Sequence, residues 1–224
     1  MISIICPTRN RPEMYAAMVD SCLSLAKEPD RIEIITYVDH GDHSLASISV
    51  PPNVTCINGP QLATAPRYNR SADFAQGPII FTMNDDVLFR TQDWDAILRA
   101  AIPPDDIYCL YPDDGLRQRC GFAIISKKWI EIVGYYHYPA LHHNFGDTWM
   151  EDIGSQVGRL AMLPILCEHN HPLCNKREWD DNDREQSGGE LSKYKRDEQI
   201  YNDGHSDRLD AASRLRDIIR RGCG

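Results

Sequence analysis

The sequence contains no hydrophobic run approaching the ~18 residues of a membrane span. Its opening Ile2-Ser3-Ile4-Ile5-Cys6 is too short for the apolar core of a secretory leader, and the polar Pro7-Thr8-Arg9-Asn10-Arg11 follows at once. Excess positive charge is also lacking. The 24 Lys and Arg stand against 33 Asp and Glu, a formal net charge of −9, which argues against a surface built for broad nucleic-acid binding but leaves room for a local basic groove. The eight cysteines follow no disulfide framework or zinc-finger spacing, and several fall inside apolar strands or a helix, where Cys behaves as a small buried hydrophobe. Free thiols in a reducing, cytoplasmic compartment are the expectation. There is no internal repeat.

What is present is an ordinary globular composition, 42% hydrophobic and 25% charged in 224 residues, enough for one large domain with a small appendage. The chain is organised around Pro78-Ile79-Ile80-Phe81-Thr82-Met83-Asn84-Asp85-Asp86-Val87. A short apolar run of this kind reads as a buried parallel strand. Its Asp-Asp terminus brings two carboxylates to the carboxyl edge of a sheet, where open α/β sheets bind ligands. Adjacent carboxylates repel, and a hard divalent cation offsets that. A solvated turn is the competing explanation of Asn-Asp-Asp.

Around this stretch the pattern predicts strands at Ile2–Cys6, Arg31–Val38 and Val54–Ile57 and helices at Pro12–Ala26 and Leu62–Ala75. Beyond it come a helix at Trp94–Ala101, strands at Ile107–Tyr111 and Phe122–Ser126, and a short helix from Lys128 to Val133. A further helix is capped by Asp147 or Thr148, and a last core strand spans Leu160–Cys167. The order implies an α/β fold with a mostly parallel, Rossmann-like sheet flanked by helices. From Lys176 the composition turns polar, and residues 176–224 read as a helical extension laid over the core or ordering on binding, with Leu209, Ala212, Leu215, Ile218 and Ile219 on one amphipathic face.

Several motifs now stand in register: Ile4-Ile5-Cys6-Pro7-Thr8-Arg9-Asn10-Arg11, a second strand ending in Asp39, Arg67-Tyr68-Asn69-Arg70, Asn84-Asp85-Asp86, Gly146-Asp147 opening a helix that stops at Gly158, and His169 or His171 after the following strand. In this order they resemble the GT-A glycosyltransferases of the inverting family 2 type, over residues 1–172, and the compact form resembles small bacteriophage or bacterial members. The resemblance implies a metal-dependent inverting glycosyltransferase that moves a sugar from a UDP- or GDP-sugar to a hydroxyl acceptor. That acceptor is a saccharide, a small molecule or a modified nucleobase. It implies a catalytic domain at 1–175, with residues 1–90 as the nucleotide-sugar half and 91–175 as the acceptor half. It places Pro7, Thr8, Arg9, Arg11, Asp39, Arg67 and Asp85 on the donor. Mn²⁺ or Mg²⁺ would sit on Asp86 with His169 or His171. Asp147 would be the general base, with Asp152 its rival.

Three departures stand out: the metal motif starts with Asn84, the usual Glu before the base is Gly146, and the chain is short. Other readings remain open at this stage. Cys167, His169, His171 and Cys174 all carry zinc-ligand side chains. Asp113 and Asp114 fit either a donor-sugar pocket or a tight turn. Arg67 and Arg70, three apart, fit phosphate or a solvated helix face. Trp149 and the loop from Tyr135 to His143 fit a stacking platform for a sugar or base acceptor, and Trp149 fits the core as well. A nucleotidyltransferase, or a non-catalytic nucleotide- or zinc-binding module, is the alternative function. The former usually carries a glycine-rich loop after the first strand, which Pro7–Arg11 lacks.

Overall fold

The computed structural model describes residues 1–116, 119–172, 175–187 and 191–222. Its strands are β1 (Ile2–Ile5), β2 (Ile32–Asp39), β3 (Val54–Gly59), β4 (Ile79–Thr82), β5 (Val87–Phe89), β6 (Cys109–Asp113), β7 (Ile124–Ser126) and β8 (Leu160–His169). The helices are α1 (Pro12–Ser24), α2 (Thr64–Ala72), α3 (Trp94–Ala100), α4 (Lys127–Val133), α5 (Gly146–Gln156), α6 (Asp181–Ser187), α7 (Leu191–Asp203) and α8 (His205–Gly222).

The strands form one sheet in the order β3-β2-β1-β4-β7-β6-β8-β5. β1 to β4 are mutually parallel, as strand–helix crossovers require. β7 and β5 run against the rest, so the sheet becomes mixed beyond β4. Both faces are covered. In β4, Ile79 and Phe81 point into a core shared with Met18 and Cys22 of α1 and Trp94 of α3. Ile80 points the other way, into a core with Trp129 of α4, Trp149 of α5 and Leu215 of α8. The period-2 alternation of a strand divides the two cores.

Three sequence expectations are corrected in detail, and one strand was not expected. β5 escapes the sequence pattern because three residues carry no periodicity; pairing with β8 makes it a strand. β6 begins at Cys109 rather than Ile107. α2 spans Thr64–Ala72 rather than Leu62–Ala75, with turns closing over residues 71–75, and Gly77 then lies against the start of β1. A Cβ on Gly77 would lie 2.7 Å from the Met1 carbonyl oxygen and 2.7 Å from Ser3 Oγ. α5 is capped by neither Asp147 nor Thr148: Phe145 is the N-cap, at φ 64°, and Asp147 lies inside the first turn.

The polar extension shares the main core. Ala211, Ala212 and Leu215 of α8 are fully buried against α4 and α5. No helix among the described residues is long and apolar enough to cross a membrane.

Candidate active site

β1, β2 and β4 deliver their carboxyl ends to one edge of the sheet, and there the acidic motif meets the loop after β1. Asp85 and Asp86 are both buried, each 6% exposed. Thr8 Oγ1 donates to Asp85 Oδ2 at 2.8 Å, and Arg11 Nη1 to Asp85 Oδ1 at 3.1 Å. Burial, reinforced by the neighbouring Asp86 charge, outweighs Arg11 and Thr8 and pushes the Asp85 carboxyl up to about 6. Asp86 moves the other way. Burial alone raises it, but His169, Arg177 and Arg11 outweigh burial and draw it down to about 2. Two adjacent carboxylates are thus pushed apart in pKa by different partners.

His169 Nε2 lies 3.1 Å from Asp86 Oδ1, yet both ring nitrogens are buried without a well-formed hydrogen bond. The His171 ring is 5.2 Å from that of His169 and lines the same cleft as Asp86. The other Asp86 oxygen accepts from Arg177 Nη2 at 3.0 Å. Among the described residues no three His, Cys, Asp or Glu side chains converge on one point. Asp86, His169 and His171 are therefore not a closed metal centre here, because a guanidinium stands on Asp86. The orphaned His169 nitrogens beside an ionised Asp86 fit a cation that draws the rest of its shell from phosphate and water, as Mg²⁺ and Mn²⁺ do. A protein-held zinc has no such support: Cys167 is buried as a free thiol, and Cys174 lies outside the described residues.

A cleft of about 190 Å³ is lined by Pro7, Thr8, Arg9, Arg11, Arg67, Asp85 and Asp86, so the sequence-predicted donor residues meet there with one exception. Asp39 lies behind the wall, clamped by Arg67 Nη2 at 3.3 Å and near Arg9 Nε at 3.7 Å. Arg67 and Arg70 part company: Arg67 faces the cleft, while Arg70 is exposed and lies over the Phe74 ring at 5.3 Å.

A second cleft, about 380 Å³, adjoins the first and shares Thr64, Tyr68, Asn84 and His143 with it. Asn84, the irregular head of the motif, accepts from Tyr68 Oη at 2.7 Å and so stands between the clefts as a neutral group. Asp147 lines the second cleft, its Oδ1 accepting from the Thr148 backbone N–H at 2.8 Å. Asp152 does not line it. Its Oδ2 accepts from Tyr201 Oη at 2.6 Å and lies 3.0 Å from Arg208 Nε, tying α5 to α7 and α8. Trp149 is core: fully buried, stacked on Tyr138 at 3.9 Å. Asp113 and Asp114 are turn residues, each accepting a backbone N–H two residues on, from Gly115 and Leu116, at 2.8 Å.

Several residues at the site have roles the sequence does not single out, His137 within the aromatic loop among them. His137, held neutral by burial at about 4, lines the second cleft and packs against the Gly146 Cα, where a Cβ would lie 2.7 Å from its Nδ1. This close approach accounts for glycine before Asp147. Asp197 of α7, fully buried, accepts the backbone N–H groups of His142, His143 and Asn144 and sets the loop that walls both clefts. Arg177, Asp180 and Asp183 are carried onto Arg11 and Asp86 at the first cleft from the polar stretch, which reads only as part of a helical extension. Only the tertiary contact distinguishes them.

The family model for glycosyl transferase family 2 matches residues 3–118, just over half of the chain. No curated protein matches. Among solved structures, S. aureus TarS is 13% identical with a TM-score of 0.62, over 75% of this chain and 36% of that one. S. aureus TarS 1-349 in complex with UDP-GlcNAc is 13% identical with a TM-score of 0.64, over 92% of this chain and 72% of that one. The mannosyltransferase PcManGT from Pyrobaculum calidifontis, in complex with GDP-Man and Mn²⁺, is 12% identical with a TM-score of 0.59, over 96% of this chain and 73% of that one. The chain thus spans little more than a third of the first of these structures and under three-quarters of the other two. The likeness is one of fold, an α/β sheet flanked by helices, and the matched segment contains β1, β2, β4 and the acidic motif. On that match the chain belongs to glycosyl transferase family 2.

Proposed function

We propose that the protein transfers a sugar from a nucleoside-diphosphate sugar to a hydroxyl acceptor, with inversion and with the help of a divalent cation. The observation that carries this reading is the pair of adjoining clefts. One is lined by Arg11, Asp85 and Asp86, the other by Asp147, and Asn84 stands between them. A donor diphosphate suits the first and an acceptor hydroxyl the second.

In this reading Thr8, Arg9 and Arg11 hold the donor's phosphates, and Arg67, anchored from behind by Asp39, faces its nucleoside end. Asp86, with His169 or His171, would hold Mn²⁺ or Mg²⁺, which neutralises the leaving diphosphate when bound. Asp147 takes the proton of the acceptor hydroxyl. The acceptor oxygen forms its bond to the anomeric carbon from the face opposite the leaving group. The carbon–oxygen bond to the diphosphate breaks, and its electron pair leaves with the diphosphate. The Thr148 N–H fixes the Asp147 carboxylate for that task. The solved structures of similar fold, named with UDP-GlcNAc and with GDP-Man and Mn²⁺, support this class of donor.

The test is a thermal-shift screen of UDP, GDP and their sugars with Mn²⁺ or Mg²⁺, followed by metal-dependent hydrolysis of those that shift. A stabilising, metal-enhanced shift with one nucleoside diphosphate is expected. No shift with any of them, in either metal, refutes the reading.

A further inference from the structure

The first cleft already holds an anion, supplied by the chain itself. The Asp183 carboxylate, 6% exposed, lies between two guanidinium groups: Arg11 Nη2 donates to its Oδ1 at 2.7 Å, and Arg177 Nη2 donates to the same oxygen at 2.8 Å. Arg177 Nη1 donates to Asp183 Oδ2. Asp180 takes the remaining edge of Arg11, receiving Nε and Nη2 at 2.7 Å each. Arg177 in turn stands on Asp86 Oδ2 at 3.0 Å, where a cation would otherwise offset the carboxylate. A short segment thus places a positive charge on the acidic motif and negative charges on the basic loop.

We propose that Arg11 and Arg177 form a phosphate clamp whose occupant in the donor-free protein is the Asp183 carboxylate, so that segment 177–183 competes with the donor's diphosphate for its site. The proposal rests on the nucleoside-diphosphate reading given above.

Three further observations agree. A cleft of about 190 Å³ falls short of the roughly 300–1,000 Å³ usual for small-molecule sites. Asn182 lines both this cleft and a neighbouring one of about 180 Å³, and its amide donates to the Arg9 carbonyl, so withdrawal of the segment would join the two. Arg177 Nε is buried without a hydrogen-bond partner among the described residues, so the planar carboxylate leaves a donor unused that phosphate oxygens suit. Arg11 and Arg177 present planar forks, the geometry that binds carboxylate and phosphate alike. One carboxylate therefore stands in for part of a diphosphate.

The experiment is calorimetric titration of UDP, GDP and inorganic pyrophosphate, with and without Mn²⁺, into the full chain and into Asp183→Asn. Removing the competing charge is expected to tighten pyrophosphate and nucleoside-diphosphate binding by about tenfold or more. Asp180→Asn, altering a half-exposed residue, should tighten it by a smaller factor and serves if Asp183→Asn does not fold. In the wild type, saturating diphosphate should also speed tryptic cleavage after Arg177 and Arg184. Pyrophosphate binding that is unchanged or weaker in both variants overturns the competition. So does protection of those cleavage sites by diphosphate, which would make the segment a lid that closes over the donor. If pyrophosphate behaves as expected while no nucleotide binds either protein, the clamp stands and the nucleotide-sugar reading fails.

Discussion

Replacing Asp85 by asparagine is expected to stabilise the ligand-free protein at neutral pH and to do nothing at pH 4. Burial is the main reason its carboxyl moves from 3.8 to about 6, and Asp86 adds to it. Between those values the folded chain binds the proton more tightly than the unfolded chain. Stability from this group is therefore greatest below pH 4, falls as pH rises to 6, and stays at its lower level above. At about 1.4 kcal/mol per pKa unit, the ionised carboxylate costs the fold about 3 kcal/mol. Asparagine keeps the shape and still accepts from Thr8 through its amide oxygen. It gives up the charge-assisted bond from Arg11, a loss already contained in that shift, and Arg11 retains Asp180 and Asp183. The net gain at pH 7.5 is about 3 kcal/mol, or roughly 6–12 °C in Tm for a domain of this size. Melts of wild type and Asp85→Asn from pH 4 to pH 8, without nucleotide or metal, measure it. Asp86→Asn is the contrast. Burial works against the Asp86 charge, but His169, Arg177 and Arg11 hold its carboxyl down at about 2, so its contribution is present above about pH 4 and lost toward pH 2. That variant should lose about 2 kcal/mol at neutral pH. An Asp85→Asn protein that is less stable at every pH, or whose difference from wild type ignores pH, refutes the reasoning.

The remaining predictions concern the second cleft and the extension. Asp147→Asn should lower kcat by about 10²–10⁴ with little change in donor affinity measured by titration. Asp152→Asn should instead loosen Tyr201 and Arg208 and cost about 1–3 kcal/mol in urea unfolding, with kcat close to wild type. A large kcat loss at Asp152 with none at Asp147 reverses the assignment of the base. Leu215→Ala, in the core beneath α8, should cost about 2–5 kcal/mol in one cooperative unfolding transition. A separate early transition for the extension would show that α8 is dispensable to the main core.

The sequence by itself determined the elements whose order and period repeat a simple physical rule. The apolar runs of β1, β2 and β4, the latter two ending in acids, read as buried strands feeding one sheet edge, and the helical spacing of Met14, Ala17, Met18, Cys22 and Leu25 marked α1, whose buried face the fold sets at Tyr15, Met18, Val19 and Cys22. The loop Pro7–Arg11 and the Asp85-Asp86 pair were legible as one site for the same reason: each lies within a few residues of a strand end, and the topology brings such ends together. What tertiary structure alone decided were contacts between residues far apart in the chain. It separated Asp147 from Asp152 by facing one into a cleft and the other onto α7 and α8. It sent Arg70 to solvent and Trp149 to the core. It turned three charges of the run 177–183 inward onto Arg11 and Asp86. A charged stretch has no period to read, since Coulomb attraction depends on which opposite charge lies opposite in space, and only the folded chain supplies that neighbour.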